Sequence, residues 1–302
     1  MYYHLVFSVP HALVPLIWQN KKILFSLLFE ATAATLLEVA ADPKHLGAEI
    51  GFFGILHTFG DRPCNSIPHV HCVVPGGGLS PDHTCWIVSR SNFFLPVKVL
   101  SRVFRGKFCA GLRRAFRERQ IAFFGECLLL ADENNFSRFL RTLFQQDWVV
   151  YSKPPFGGPD HVLQYLARYT HRVAISNHRI LSVTESAVRF RWKDYANHHK
   201  KRTMTLTGSE FLRRFLQHVL PKSFPRIRYF GWLANRKRGS LLQLCRVMLE
   251  TPQPASTTST SDQAIVQECP NCHGLMRIVE RFTSEETHNP ARTSVPVVID
   301  TS

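Results

Sequence analysis

Acidic residues are scarce in this chain. Only 22 Asp and Glu stand against 37 Lys and Arg, which leaves a formal charge of +15 before any of the 15 histidines protonates. With a pI near 9.8, such an imbalance favours a polyanionic partner, and a nucleic acid is the expected one. A disulfide framework is missing too. Cys64, Cys72, Cys85, Cys109, Cys127 and Cys245 are scattered among apolar neighbours, and only Cys269 and Cys272 stand at a metal-like spacing. That usage reads as a reduced, cytosolic chain. The N-terminus, MYYHLVFSVP, has no basic region ahead of an apolar stretch, so it does not read as a secretory signal. The longest apolar stretch, Ile23 to Ala40, is interrupted by Glu30 and Glu38 and repeats Leu and Phe at helical spacing. It reads as a buried helix rather than a membrane span, and no membrane partner is expected. No internal repeat is visible. What is abundant is apolar side chain: 45% of 302 residues, 23 of them Phe. That suffices for a sizeable core and excludes wholesale disorder.

The pattern along the chain predicts mixed elements. Residues 2–9 read as a strand closed by Pro10, Gln19 to Ala41 as a long helix, and Ile50–Phe59 as a second strand. His69–Val74 reads as a third strand, stopped by the triplet Gly76-Gly77-Gly78. Helices are predicted over Val97 to Gln120, Asn134 to Gln146, His161 to His171 and Glu210 to Val219, and a turn-forming stretch over Tyr151 to Asp160. Val173–Ser176, Arg179–Val183 and Ala187–Lys193 alternate as antiparallel strands do. The expected class is therefore α+β. Residues 1–249 read as one folded domain, 250–265 as a Pro/Ser/Thr linker, and 266–302 as a polar tail carrying Cys-Pro-Asn-Cys.

Four features carry chemistry. In a strand, His69 and His71 point to one face and could share a metal, while Val70, Cys72 and Val74 point into a core. A third ligand is needed; His57 on the preceding strand is the candidate a hairpin would bring alongside, with Asp61 behind it. An HxH pair alone is common and serves equally as two polar positions on a half-exposed strand. Second, Tyr165 and Tyr169 lie one helical turn apart beside Arg168, His171 and Arg172. A phenol oxygen can attack a phosphodiester where a metal or an Arg neutralises the phosphate, though the same spacing suits two core aromatics. Third, cations cluster from Arg102 to Arg119, from Arg189 to Arg202 and from Arg213 to Arg238, including Arg113, Arg114, Lys193 and Arg213, with Phe190, Trp192, Tyr195, Phe224, Tyr229 and Trp232 interleaved. Phosphate contacts plus stacking faces describe a binder of single-stranded nucleic acid. Fourth, Cys269 and Cys272 form half of a zinc knuckle, a possible Zn²⁺ site with no second ligand pair beyond the remote His288.

Taken together, the segments Ile55–Gly60, His69–Ser80 and Tyr165–Ile180, with Phe190–Tyr195, Glu210–Pro221 and Phe224–Ala234, resemble the two-tyrosine HUH transposases of rolling-circle bacterial insertion sequences. The likeness runs from about Tyr2 to Leu249. It implies an HUH nuclease fold, an antiparallel sheet flanked by helices whose central strand carries the His pair. It implies that His69 and His71 hold Mg²⁺ or Mn²⁺, with a His on a neighbouring strand, here His57, as third ligand. It also implies that Tyr165 or Tyr169 cleaves one DNA strand through a 5′-phosphotyrosine, with no energy cofactor. The partners implied are single-stranded DNA at element ends and a host helicase or replication machinery, in the bacterial cytoplasm at the nucleoid. Family members usually open with a cysteine-rich zinc-binding segment, and this sequence begins at the strand that follows it. The expectation is a truncated copy or a misplaced start. The alternatives are a plasmid replication initiator or relaxase with the same chemistry, and a silent DNA-binding remnant. A zinc hydrolase is disfavoured, because no Glu adjoins the His pair as a general base.

Overall fold

A computed structural model of the chain describes residues 1–58, 67–90, 93–156, 175–194, 200–249, 267–268 and 275–276. In chain order these form β1 (Tyr2–Ser8), α1 (Val14–Gln19), α2 (Lys21–Ala41), β2 (Gly51–His57), β3 (His69–Pro75), β4 (Gly77–Leu79), β5 (Trp86–Val88), α3 (Val97–Arg117), α4 (Glu133–Gln145) and β6 (Val150–Phe156). There follow β7 (Ile180–Val183), β8 (Ala187–Asp194), β9 (Lys200–Thr207), α5 (Gly208–Gln217), β10 (Ile227–Gly231), α6 (Arg238–Met248), β11 (Gln267–Glu268) and β12 (Leu275–Met276). The class is α+β, as the sequence predicts. The chain divides into two compact units, Met1–Thr251 and Pro252–Ser302. Within the second, β11 and β12 pair antiparallel.

Five strands of the first unit make one sheet in the order β10-β2-β3-β1-β6, every neighbouring pair antiparallel, with β3 at its centre. The period of two decides which face is core. Tyr3, Leu5 and Phe7 of β1 and Val70, Cys72 and Val74 of β3 are at most 1% exposed. They share a cluster with Leu24, Phe25, Leu28, Phe29 and Leu36 of α2 and with Leu100, Phe104, Phe108 and Leu112 of α3. The two helices differ as their positions require. α3 carries its apolar residues every fourth position and leaves Arg102, Arg113, Arg114 and Arg117 exposed. α2 is mostly buried and keeps only a narrow exposed line, Glu30, Ala34, Glu38 and Ala41, with Lys22 exposed in its first turn. By length and composition it could cross a membrane, but 67% of its most apolar window is buried inside the protein. Core packing therefore accounts for its composition.

Three stretches differ from the sequence expectation. The stretch from Tyr151 was expected to turn, yet Val150–Phe156 forms β6. Pro154 and Pro155 are tolerated because β6 is an edge strand with no ladder partner on its outer side. The glycine triplet was expected to stop β3. Gly76 does make a bend, but Gly77 and Gly78 re-enter as β4, paired with β5. A Cβ on Gly77 would lie 2.4 Å from the Ile87 carbonyl oxygen, so the pairing needs glycine. Ser176, expected to end a strand, instead leads a short 3₁₀ turn over Asn177–Arg179.

Gly231 closes the β10 edge. Its φ is +62°, and a Cβ there would meet the Ile50 carbonyl oxygen at 1.8 Å. Gly231→Ala is therefore expected to cost at least about 2 kcal/mol, left-handed strain and steric displacement adding. Urea unfolding at neutral pH measures it. A midpoint equal to wild type would show that the β2–β10 junction relaxes freely.

Candidate metal centre

The face of the sheet opposite α2 and α3 carries the histidines. Register places His57 of β2 directly across from His69 of β3, with Ile55 across from His71. On an antiparallel pair, residues directly opposite share a face. His57, His69 and His71 therefore converge, and one ring nitrogen from each lies within 4.8 Å of the others. The ring centroids of His57 and His71 are 4.0 Å apart, of His69 and His71 4.8 Å, and of His57 and His69 5.5 Å. The hairpin expected from sequence thus brings the expected third histidine alongside the pair.

The surroundings favour neutral imidazoles at His69 and His71. Burial pushes both His69 and His71 below the usual histidine range; for His71 the neighbouring histidines and Lys153 add to it. The Nδ1 of His69 lies 2.7 Å from the Ile67 carbonyl oxygen, to which it donates. That fixes the tautomer and leaves Nε2 as the atom with a lone pair, the carbonyl partner orienting the ring as it does for metal-binding histidines. Three imidazoles in one cluster suit a divalent transition ion better than Mg²⁺. The donor set fits the metal-binding role.

Sequence reasoning missed a fourth histidine. His4 of β1 is 3% exposed, and its Nε2 sits 2.7 Å from Nδ1 of His71, the two rings stacked at 4.9 Å. Burial first, then the charge of Lys153, holds His4 down to about 4, so it is neutral at physiological pH. A neutral His4 can accept the Nδ1–H of His71 and leave Nε2 of His71 to face the cluster. The only early signal was its parity: His4, Val6 and Ser8 alternate with the core residues of β1. Lys153 of β6 stands across from His4 and brings a cation to the same face; the reading of its segment as a turn had hidden it.

The other predicted site residues are placed unevenly. Tyr165, Arg168, Tyr169 and Arg172 lie outside the described residues, as do Asp61, Cys269 and Cys272. Arg113 and Arg114 are exposed on α3. Lys193 of β8 pairs in register with Lys201 of β9. Arg213 forms two hydrogen bonds to Glu210, at 2.6 and 2.8 Å. Of the aromatics read as stacking faces, three are packed inward. Phe190 and Trp232 are 2% and 4% exposed, and Phe224 packs on Phe25 and Phe29. Nearby, Arg228 lies over the Phe29 and Phe224 rings at 4.6 and 4.8 Å, and Arg226 donates to the Leu56 carbonyl. These two cations brace the fold from within.

Comparison with known proteins agrees with this geometry. A family profile described as "Putative transposase", Y2_Tnp, matches residues 51–240, which include all three clustered histidines. The chain is 48% identical over 293 residues to "Putative transposase y4qJ" of Sinorhizobium fredii (strain NBRC 101917 / NGR234), covering 93% of this chain and 73% of that protein. It is 29% identical over 270 residues to "Transposase for insertion sequence element IS801" of Pseudomonas savastanoi pv. phaseolicola, covering 84% of this chain and 59% of that protein.

Proposed function

The chain belongs to the Y2_Tnp family of transposases, and from that premise we propose that it moves DNA by cutting one strand through a 5′-phosphotyrosine and passing that strand on. The observation that carries this reading is the convergence of His57, His69 and His71 on the two central neighbouring strands. A divalent ion held there would polarise the scissile phosphate. His69, oriented by the Ile67 carbonyl, His71, oriented by His4, and His57 would hold it. The phenol oxygen of Tyr165 or Tyr169 loses its proton and bonds to phosphorus, and the bond from phosphorus to the 3′-oxygen breaks. The 3′-oxygen takes up a proton and leaves as a hydroxyl. Attack by another 3′-hydroxyl on the phosphotyrosine reverses the exchange and joins strands, so no nucleotide hydrolysis is required. Arg168, Arg172, Arg113, Arg114, Lys193 and Arg213 are assigned to the DNA backbone. Single-stranded element ends are the substrate, and host machinery supplies the unwinding.

End-labelled single-stranded oligonucleotides test the polarity. Label on the fragment downstream of the cut should stay with the denatured protein, and the upstream fragment should gain a 3′-hydroxyl that a polymerase can extend. Label retained on the upstream fragment would overturn the 5′-phosphotyrosine.

Two expectations follow for other parts of the chain. Replacing His4 by Ala should weaken Mn²⁺ affinity about 10- to 100-fold, the usual effect of losing a group that orients a ligand. His4→Gln, which keeps an acceptor, should recover most of it. Calorimetric titration with Mn²⁺ reads this directly, and unchanged affinity in both variants would remove His4 from the site. Cleavage is assigned to residues 1–249, with 250–265 a linker. Truncation after Met248 should therefore leave adduct formation within about threefold of the full chain, an effect of under ~1 kcal/mol. Failure of the truncated chain to fold would place the boundary elsewhere.

A further inference from the structure

β7, β8 and β9 form a separate three-stranded antiparallel sheet, and its two faces are chemically opposite. On the inner face Val188 and Phe190 are buried, and Phe190 packs on Phe211 of α5 at 5.5 Å. The outer face bears Arg189 across from Thr205, Arg191 across from Thr203, and the Lys193 position across from Lys201. Arg189, Arg191, Lys201, Thr203 and Thr205 are all exposed. No Asp or Glu stands at a register position of this face, and among the described residues no carboxylate pairs with Arg189, Arg191 or Lys201. The contrast with α5 is sharp, since Arg213 and Arg214 there are both bonded to Glu210.

We propose that this outer face is a docking surface for the sugar-phosphate backbone of DNA, read without regard to sequence. The inference rests on the transposase reading and adds to it where the strand lies away from the cutting site. Successive rungs on one face are about 6.7 Å apart, two strand residues, a spacing that lets neighbouring cations meet neighbouring phosphates. Two of the rungs offer a guanidinium beside a hydroxyl, both groups that contact phosphate oxygens. Among the described residues the face presents no aromatic ring, because strand alternation has turned Phe190 and Trp192 to the other side, where Phe190 meets α5. Its described residues offer nothing on which a base could stack, so it grips the backbone alone, and it should hold a duplex arm as firmly as a single strand.

The test is Arg189→Gln, Arg191→Gln and Lys201→Gln together in the full chain, with Arg189→Lys, Arg191→Lys and Lys201→Arg as the charge-preserving counterpart. Fluorescence anisotropy would follow binding of a mixed-sequence oligonucleotide, single-stranded and as duplex, across a salt series. The neutral variant should lose affinity for both, and its salt slope should become shallower by about two to three, one unit or slightly less per phosphate contact removed. The charge-preserving variant should bind as wild type does, and the thermal midpoints of all three should agree. An unchanged salt slope, with wild type still forming its covalent adduct, would overturn this surface and leave the transposase reading intact. A loss confined to single strands would show base contacts and also overturn it. Wild-type protein that neither binds DNA nor forms an adduct would remove the functional reading itself.

Discussion

His71→Ala is expected to reduce metal-dependent strand cleavage at least about a thousandfold, the several kcal/mol that a metal contributes to phosphoryl transfer. DNA affinity should change by less than about threefold, since phosphate contacts are spread over many cations. The asymmetry follows from position. His71 is on the central strand, touches both other histidines of the cluster, and is gripped by His4 from behind. No exposed cation of α3 or of the β8–β9 face depends on it. Because a truncated side chain in this half-buried setting costs some stability, His71→Gln is the companion variant. It keeps the volume while lacking the ring nitrogen that His71 turns to the cluster. Parallel gel assays of cleavage and of binding decide the matter. Equal loss of both in the two variants would mean that the histidine is structural and the cluster holds no catalytic ion.

The second large effect is acid lability. His4 and His218 are both held near 4 by burial, against about 6.5 when exposed. His218 sits edge-on to Trp18 at 5.9 Å, with the Lys21 charge adding to its depression. A histidine with a depressed folded pKa binds more protons when unfolded. Its stabilising contribution is therefore complete above about 6.5 and is lost as pH falls toward 4. At pH 5 each of these two groups should have cost about 2 kcal/mol relative to pH 7, and His69 and His71 act in the same direction. The carboxylates with shifted values, Glu49, Asp82 and Glu210, are all shifted downward, so they remain ionised in this window. Urea midpoints at pH 7 and pH 5 without added metal should differ by several kcal/mol of unfolding free energy. Coincident midpoints would show that these imidazoles are already solvated in the folded protein.

The histidine cluster was legible from sequence because its geometry is local. Two residues apart on one strand, and one hairpin away, are relations that a period of two and a single loop specify. His4 was not legible, because its nearness to His71 depends on the register between β1 and β3, sixty-odd residues apart, and nothing in YYHLVFS announces that pairing. Three of the interleaved aromatics, Phe190, Phe224 and Trp232, misled for a related reason. A half-buried strand that alternates cation and ring looks in sequence like a stacking platform. In the structure the rings of Phe190, Phe224 and Trp232 go inward, while Arg226 and Arg228 are spent on a carbonyl and on aromatic faces. The prolines after Lys153 read as a turn because only sheet order reveals which strand is at an edge.

The measurement that bears most directly on the central claim is a metal-dependent covalent adduct with DNA. The full chain would be mixed with Mn²⁺ and single-stranded oligonucleotides tiled across its element's flanks, then denatured and resolved by size, beside Tyr165→Phe, Tyr169→Phe and the double variant. The account predicts a denaturant-resistant adduct that vanishes with chelator, with His71→Ala, and with the double tyrosine variant. An adduct that persists in the double variant, or one that forms equally well after chelation, would contradict it.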